Sequence, residues 1–314
     1  MMRSVAAKHP AAALLLAVAV ALAATIVTAC ASAIGASSSG KIVAVGAENQ
    51  YADVLQQVGG KYVQASAIMS NPNTDPHTFE ASAAVARQVG SAQLIVQNGV
   101  GYDNFMTTIE NAAPNSGRKV IDVQQLLGLP DSTPNPHLWY APTTMPKVAD
   151  AIAGDLAALQ PSHAAYFKAN AKAFTASLKT LTSAIASFKA AYPGAPVATT
   201  EPVADYLLTA LGADNLTPWT FRADIMNGVD PSPQNVAAER ALFTQHKVKV
   251  LLYNQQVTDS LTESFITLAK QNNIPVVGVY ETMPVPGYDY QTWMLTEVQD
   301  LRKAVTDKVS TEHL

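Results

Sequence analysis

Short apolar runs alternating with longer helical stretches constrain this chain more than any other feature. KIVAV ends at Gly46, QYADVLQQVGG reads as a helix stopped by paired glycines, and YVQASAIM, QLIVQ and KVIDV follow as strand-like runs with helical stretches between them. Strands separated by helices lie parallel, because parallel neighbours need a crossover where antiparallel ones need only a turn. Residues 41–160 are therefore expected to form an α/β lobe. After Gly194 the alternation resumes, with PVATT, VKVLLYN and IPVVGVY as strands. PVADYLLTALG, SPQNVAAERALFTQHK, the region from Leu261 to Gln271 and QTWMLTEVQDLRKAVTDKV read as the helices between and after them, giving a second α/β lobe over 194–314. With 314 residues and 48% apolar content there is material for two cores, since single cores stop growing at about 250 to 300 residues.

Residues 161–193 are the exception to the alternation. No proline or glycine interrupts the stretch between Pro161 and Pro193, and Phe167, Phe174, Leu178, Leu181, Ile185 and Phe188 fall on one helical face. At 1.5 Å per residue such a helix runs roughly 45 Å, long enough to brace both lobes. The expected fold class is α/β: two lobes, each a parallel sheet flanked by helices, joined by one long rigid helix.

The first 29 residues differ in kind. Arg3 and Lys8 precede the uncharged run AAALLLAVAVALAATIV, and small residues lead to Cys30, the pattern of a bacterial signal peptide with a lipobox. The run is short for a stable membrane span. As the sole cysteine, Cys30 has no partner for an internal disulfide. Residues 30–40 read as a flexible linker. Loss of Arg3 and Lys8 removes two positive charges from a formal −4, giving −6, which argues against nucleic acid as a partner and against a polybasic membrane surface.

In α/β sheets ligands bind beyond the carboxyl ends of strands, so polar residues just after apolar runs are the candidates. His77 lies in NPNTDPHTFE and His137 in NPHLWY, while Glu201 directly follows PVATT and Glu281 directly follows VVGVY. Prolines beyond the two acids bar the strands from continuing. Two imidazoles and two carboxylates suit a divalent transition metal. Singly, each has a plainer reading: loop hydrogen bonding for the histidines, a helix cap at Pro202 for Glu201, and solvent exposure for Glu281. His163, His246 and His313 read as surface residues. Phe79, Trp139 and Tyr140 read as packing around a site, and NGVGYDNFM as a strand-to-helix turn beside it. It lacks the lysine and glycine spacing of a phosphate loop.

The phrases NPNTDPHTFE, NGVGYDNFM, NPHLWY, TEPVADYLL and VYETMP, in this order with a lipobox before them, resemble the metal-binding lipoproteins of bacterial ABC importers. The likeness covers the chain from Lys41 to about residue 308. It implies a non-enzymatic, extracytoplasmic receptor that is monomeric, lipid-anchored at Cys30 and partnered by an ABC importer permease. It further implies that His77, His137, Glu201 and Glu281 clamp Zn2+ or Mn2+, with Fe2+ also admissible and no catalytic cofactor. The chain departs from the family pattern in three places, the first being Glu201, where many zinc-dedicated members carry a histidine. There is no histidine-rich loop, and WYAP carries Ala141 where the family usually has an acid, a change that removes a second-layer partner. Two other readings of the same residues are a metal-dependent hydrolase with Glu201 as general base, and a receptor of the same fold for a chelated ligand such as a siderophore or corrinoid. The absence of GxSxG and of a second polar cluster for an organic substrate weighs against the hydrolase. The Pro, Asn and Thr of the loops, in place of arginine and aromatic residues, weigh against the chelate.

Overall fold

In the computed structural model, residues 40–73, 79–284 and 286–314 are described. His77, Cys30 and the expected signal peptide lie outside them. Lys41–Leu314 make one compact unit.

The first half runs β1 (Ile42–Glu48), α1 (Asn49–Gly59), β2 (Val63–Met69), α2 (Ala83–Ser91), β3 (Leu94–Gln97), α3 (Asn104–Ala112), β4 (Lys119–Asp122), α4 (Val123–Leu127) and α5 (Thr144–Leu159). Its four strands form one parallel sheet in the order β2-β1-β3-β4. The connection comprises α6 (Ala164–Ser177) and α7 (Lys179–Ala191). The second half runs β5 (Pro196–Thr199), α8 (Asp205–Leu211), β6 (Asp214–Asn215), α9 (Trp219–Met226), α10 (Pro233–Thr244), β7 (Val250–Asn254), α11 (Ser260–Gln271), β8 (Val276–Val279) and α12 (Tyr290–Asp307). It too is a four-stranded parallel sheet, ordered β6-β5-β7-β8. The α/β class and the two parallel sheets flanked by helices are as the alternation predicts. β3, β7 and β8 are buried along their whole length, as strands covered on both faces must be.

The long helix is present and bent. Its two segments meet at Leu178, where the Ser177 hydroxyl donates to Phe174 O at 2.6 Å, the local bonding that competes with a helical ladder and bends it. All six apolar positions of the expected stripe are buried. α6 packs on α1 and α5 of the first half, and α7 packs on α8 and α12 of the second. One apolar cluster accordingly reaches from Ile42 to Ala304 through both halves. The connecting helix thus buries one stripe along its length, α6 against the first half and α7 against the second, and that stripe joins the two halves in one apolar cluster.

Four elements are absent from the sequence reading: α4, α5, α9 and β6. In α5 the i, i+4 series Val148, Ile152 and Leu156 is fully buried, a pattern obscured by the alanines between. β6 is only two residues long and is fixed by tertiary bonds, the Asn215 amide donating to Thr199 Oγ1 and Asp205 Oδ1. His163 is half-buried and not simply on the surface, its ring stacked on Tyr62 at 3.7 Å.

Candidate metal centre

Each sheet has one place where successive connections leave in opposite directions: between β1 and β3 in the first half, and between β5 and β7 in the second. Such switch points open a crevice at the carboxyl ends of the strands. The polar residues that follow those ends come together here.

His137 precedes a single turn of 3-10 helix, Leu138–Tyr140. Asn135 sets its ring. The Asn135 amide Nδ2 donates to Pro202 O at 2.8 Å, so its Oδ1 is the acceptor for both the His137 backbone N–H (3.0 Å) and ring Nδ1 (2.7 Å). With the proton on Nδ1, Nε2 carries the lone pair, the form in which histidine binds metal through Nε2. A carboxamide thus supports the ring, where the family pattern led us to look for an acid at position 141. Nε2 lies 3.3 Å from Glu281 Oε2. The rings of Tyr102 and Trp139 meet the imidazole edge-on at 5.8 and 5.4 Å; of the three aromatic residues expected to pack around the site Trp139 lies against it, whereas Phe79 packs on Phe105 and Tyr140 on Trp293.

Glu281 is fully buried and held at every polar atom from both halves. Its N–H donates to Gln256 Oε1 at 2.7 Å, and its C=O accepts from Gln50 Nε2 at 3.2 Å. Its carboxylate accepts from Tyr102 Oη–H at Oε2 (2.8 Å) and from Asn254 Nδ2 at Oε1 (2.7 Å). Asn49 clamps the chain two residues further on, donating to Met283 O at 2.7 Å and accepting from Met283 N at 2.8 Å. Glu201 is 2% exposed, and its Oε2 accepts from the same Asn254 amide at 2.8 Å. The plainer readings of the two acids therefore fail. α8 starts at Asp205, beyond any cap from Glu201, and Glu281 does not face solvent.

The turn 98–103 delivers Tyr102. Gly99, Val100 and Gly101 all have positive φ (77°, 56° and 77°), and the Asp103 carboxylate closes the loop on the N–H groups of Asn98 (2.6 Å) and Gly99 (2.9 Å). A Cβ on Gly99 would come within 2.8 Å of Gln124, so glycine is required there for space as well as φ. Burial pushes the Asp103 carboxyl up to about 7 in spite of those two donors. Glu48, at the end of β1, is fully buried with no partner for either carboxylate oxygen among the described residues. Burial, and then the charge of Asp103, hold it well above the usual carboxylate range.

The structure thus joins His137 to Glu281 directly and Glu201 to Glu281 through Asn254. Among the described residues no group of three or more His, Cys, Asp or Glu side chains is placed to hold a metal ion, and His77 lies outside those residues. Sequence reasoning missed Asn49, Gln50, Tyr102, Asn254 and Gln256. All but Tyr102 come at or just after a strand end, so the rule that picked out the two acids would have found them had it been applied to carboxamides.

A family model described as the periplasmic zinc-uptake complex component A, ZnuA, matches residues 45–304. The manganese ABC transporter substrate-binding lipoprotein PsaA of Streptococcus pneumoniae is 25% identical over 261 residues, 76% of this chain and 79% of that one. The iron-binding protein YfeA of Yersinia pestis is 22% identical over 252 residues, 75% and 78% of the two chains. Among solved structures, the crystal structure of ZnuA superposes with a TM-score of 0.69 at 21% identity, covering 85% of this chain and all of that one.

Proposed function

This chain belongs to the ZnuA family of periplasmic zinc-uptake components, and from that premise we propose how its own residues capture a cation. It is the extracytoplasmic solute-binding receptor of an ABC importer for a divalent transition metal, and it is not an enzyme. Its relatives are named for manganese, zinc or iron.

The observation that carries the site assignment is the buried junction in which His137 Nε2 meets Glu281 Oε2 and one carboxamide ties Glu281 to Glu201. On our reading the cation enters between the lobes 41–160 and 194–314 and is bound by His137, Glu201 and Glu281, with His77 as the fourth ligand. Two carboxylates offset the 2+ charge, and that neutrality is what allows an ion to be held out of water. Four protein donors leave no position open for a reacting water, the arrangement of a holding site. The 161–193 helix and the bonds between halves favour small loop shifts on loading over wide closure. Those bonds include Asp53 with Tyr290 N at 3.0 Å and Tyr140 Oη–H with Tyr280 O at 2.8 Å. Anchoring at Cys30, a monomeric state and exposure on the outer side of the cell membrane complete the proposal.

The test is elemental analysis after equilibration with mixed zinc, manganese and iron, on the wild type and on His77→Ala, Glu201→Gln and Glu281→Gln. One bound ion in the wild type and marked loss in each variant is the expected result. Retention of the ion by all three variants would remove the site.

A further inference from the structure

β8 is the last strand in the order of the second sheet, and a bare edge there would offer its backbone groups to any extended segment. In this fold the edge is covered. Lys308, at φ 55°, turns the chain out of α12 and back along the strand. Thr311 then bridges Val277 in parallel: its N–H donates to Val276 O and its C=O accepts from Gly278 N–H, both at 2.9 Å. Ser310 Oγ accepts from Val276 N–H at 3.0 Å, and Glu312 O accepts from Gln255 Nε2 at 2.7 Å. The Glu312 carboxylate pairs with Lys270 at 2.8 Å. Gly278 makes room for all of this. A Cβ there would stand 2.0 Å from Glu312 O, a backbone atom that cannot turn aside, although Gly278 has no positive φ that would demand glycine.

We infer that residues 310–314 are a strap that closes the β8 edge against pairing with a second copy of this chain, and that Gly278 is the residue that admits the strap. The occupant follows from the strand itself. VVGV carries no charge and no proline, the features that most simply keep like edges apart, and two copies of one strand can meet about a two-fold axis with their bonds closed on each other. Other edges are protected by other means. β6, at the far side of the same sheet, is only two residues long, and in the first sheet the edge strand β2 has Ala67 O held by Gln88 Nε2 at 3.2 Å. For β8 the strap supplies the protection. It gives a physical reason for the monomeric state proposed above, and it is independent of which side chains hold the cation.

The experiment uses the full chain with Gly278→Ala, which keeps β8 whole and denies the strap its space, and with Thr311→Pro, which leaves β8 unaltered and removes the strap's N–H. Amide hydrogen exchange read by mass spectrometry reports whether the strap is seated, and sedimentation velocity across a dilution series reports the mass. The wild type is expected to protect the amide of residue 278 and to keep the mass of one chain at every concentration. In both variants that amide should lose its protection at the lowest concentration, and the mass should rise with concentration to about twice that of one chain. The proline variant carries the test should the alanine variant fail to fold. A variant that loses protection yet stays at one mass overturns the inference, as does growth past two copies, since a two-fold pairing uses up both edges. Retained protection in Gly278→Ala overturns the role given to Gly278. A wild type that already pairs fails the monomeric reading and the strap alike, whereas variants that stay single fail the strap alone.

Discussion

The two sheets share strand order and crevice, yet their carboxyl ends use acids in opposite ways. In the first half, Asp103 spends both oxygens on backbone N–H groups of its own loop, and the Glu48 carboxylate is buried without a hydrogen-bond partner among the described residues. In the second half, Glu201 and Glu281 come from different strands onto one amide. Topology therefore fixes where polar side chains gather, and the donors around each acid decide whether it is tied into its own loop, as Asp103 is, or shared with a second acid, as Glu201 and Glu281 are. Glu48 and Asp103 are both pushed toward the neutral form by burial.

That contrast is most easily broken by exchanging acids for amides in each half. Glu281→Gln should lower zinc affinity by more than the roughly 10- to 100-fold that outer-layer changes cost, whereas Glu48→Gln should leave it unchanged; titration calorimetry on both variants decides. A loss of binding in Glu48→Gln would place that acid among the ligands. A smaller effect is expected at the seam between halves. Asn49→Ala removes both bonds to Met283, two residues beyond Glu281, and should weaken zinc binding by about 10-fold in the same titration and also lower the melting temperature, because two buried backbone groups lose their partners.

The smallest effect concerns pH. Burial pushes the Glu297 carboxyl from 4.5 up to about 8, so the folded state keeps a proton that the unfolded state has lost. Stability from this group is full below its unfolded pKa and falls as pH rises towards about 8, at no more than about 1.4 kcal/mol per pH unit for one proton. Glu239, also pushed up to about 8, and Asp103 act in the same direction. Glu297→Gln preserves an acceptor for Trp293 Nε1–H and a polar partner for the Tyr140 hydroxyl, both at 3.1 Å. Melting curves of metal-free protein between about pH 5 and pH 8 should therefore decline less steeply in the variant.

Much of this was legible in the chain itself. Strands closed by glycine, proline or an acid, and the stripe from Phe167 to Phe188, are local patterns, and they led to both sheets and to the helix between them. The helix stripe survives the bend at Leu178 because burial depends on which face a residue occupies, and a change of axis leaves that face inward. The junction at Asn254 was not legible, since it joins residues from β5, β7 and β8 that only the sheet order makes neighbours. Asn135 was hidden for another reason. In NPHLWY it reads as a turn residue, and its support of His137 shows only once its amide is seen fixed on Pro202 O.

The most direct test of convergence is a crystal structure of the zinc-loaded protein with anomalous data at the zinc edge. The account predicts one zinc about 2.0 to 2.2 Å from His137 Nε2, His77 and one oxygen each of Glu201 and Glu281, with Asn254 still bonded to both acids. Zinc bound elsewhere, or held while Glu201 and Glu281 remain outside its coordination sphere, would contradict it.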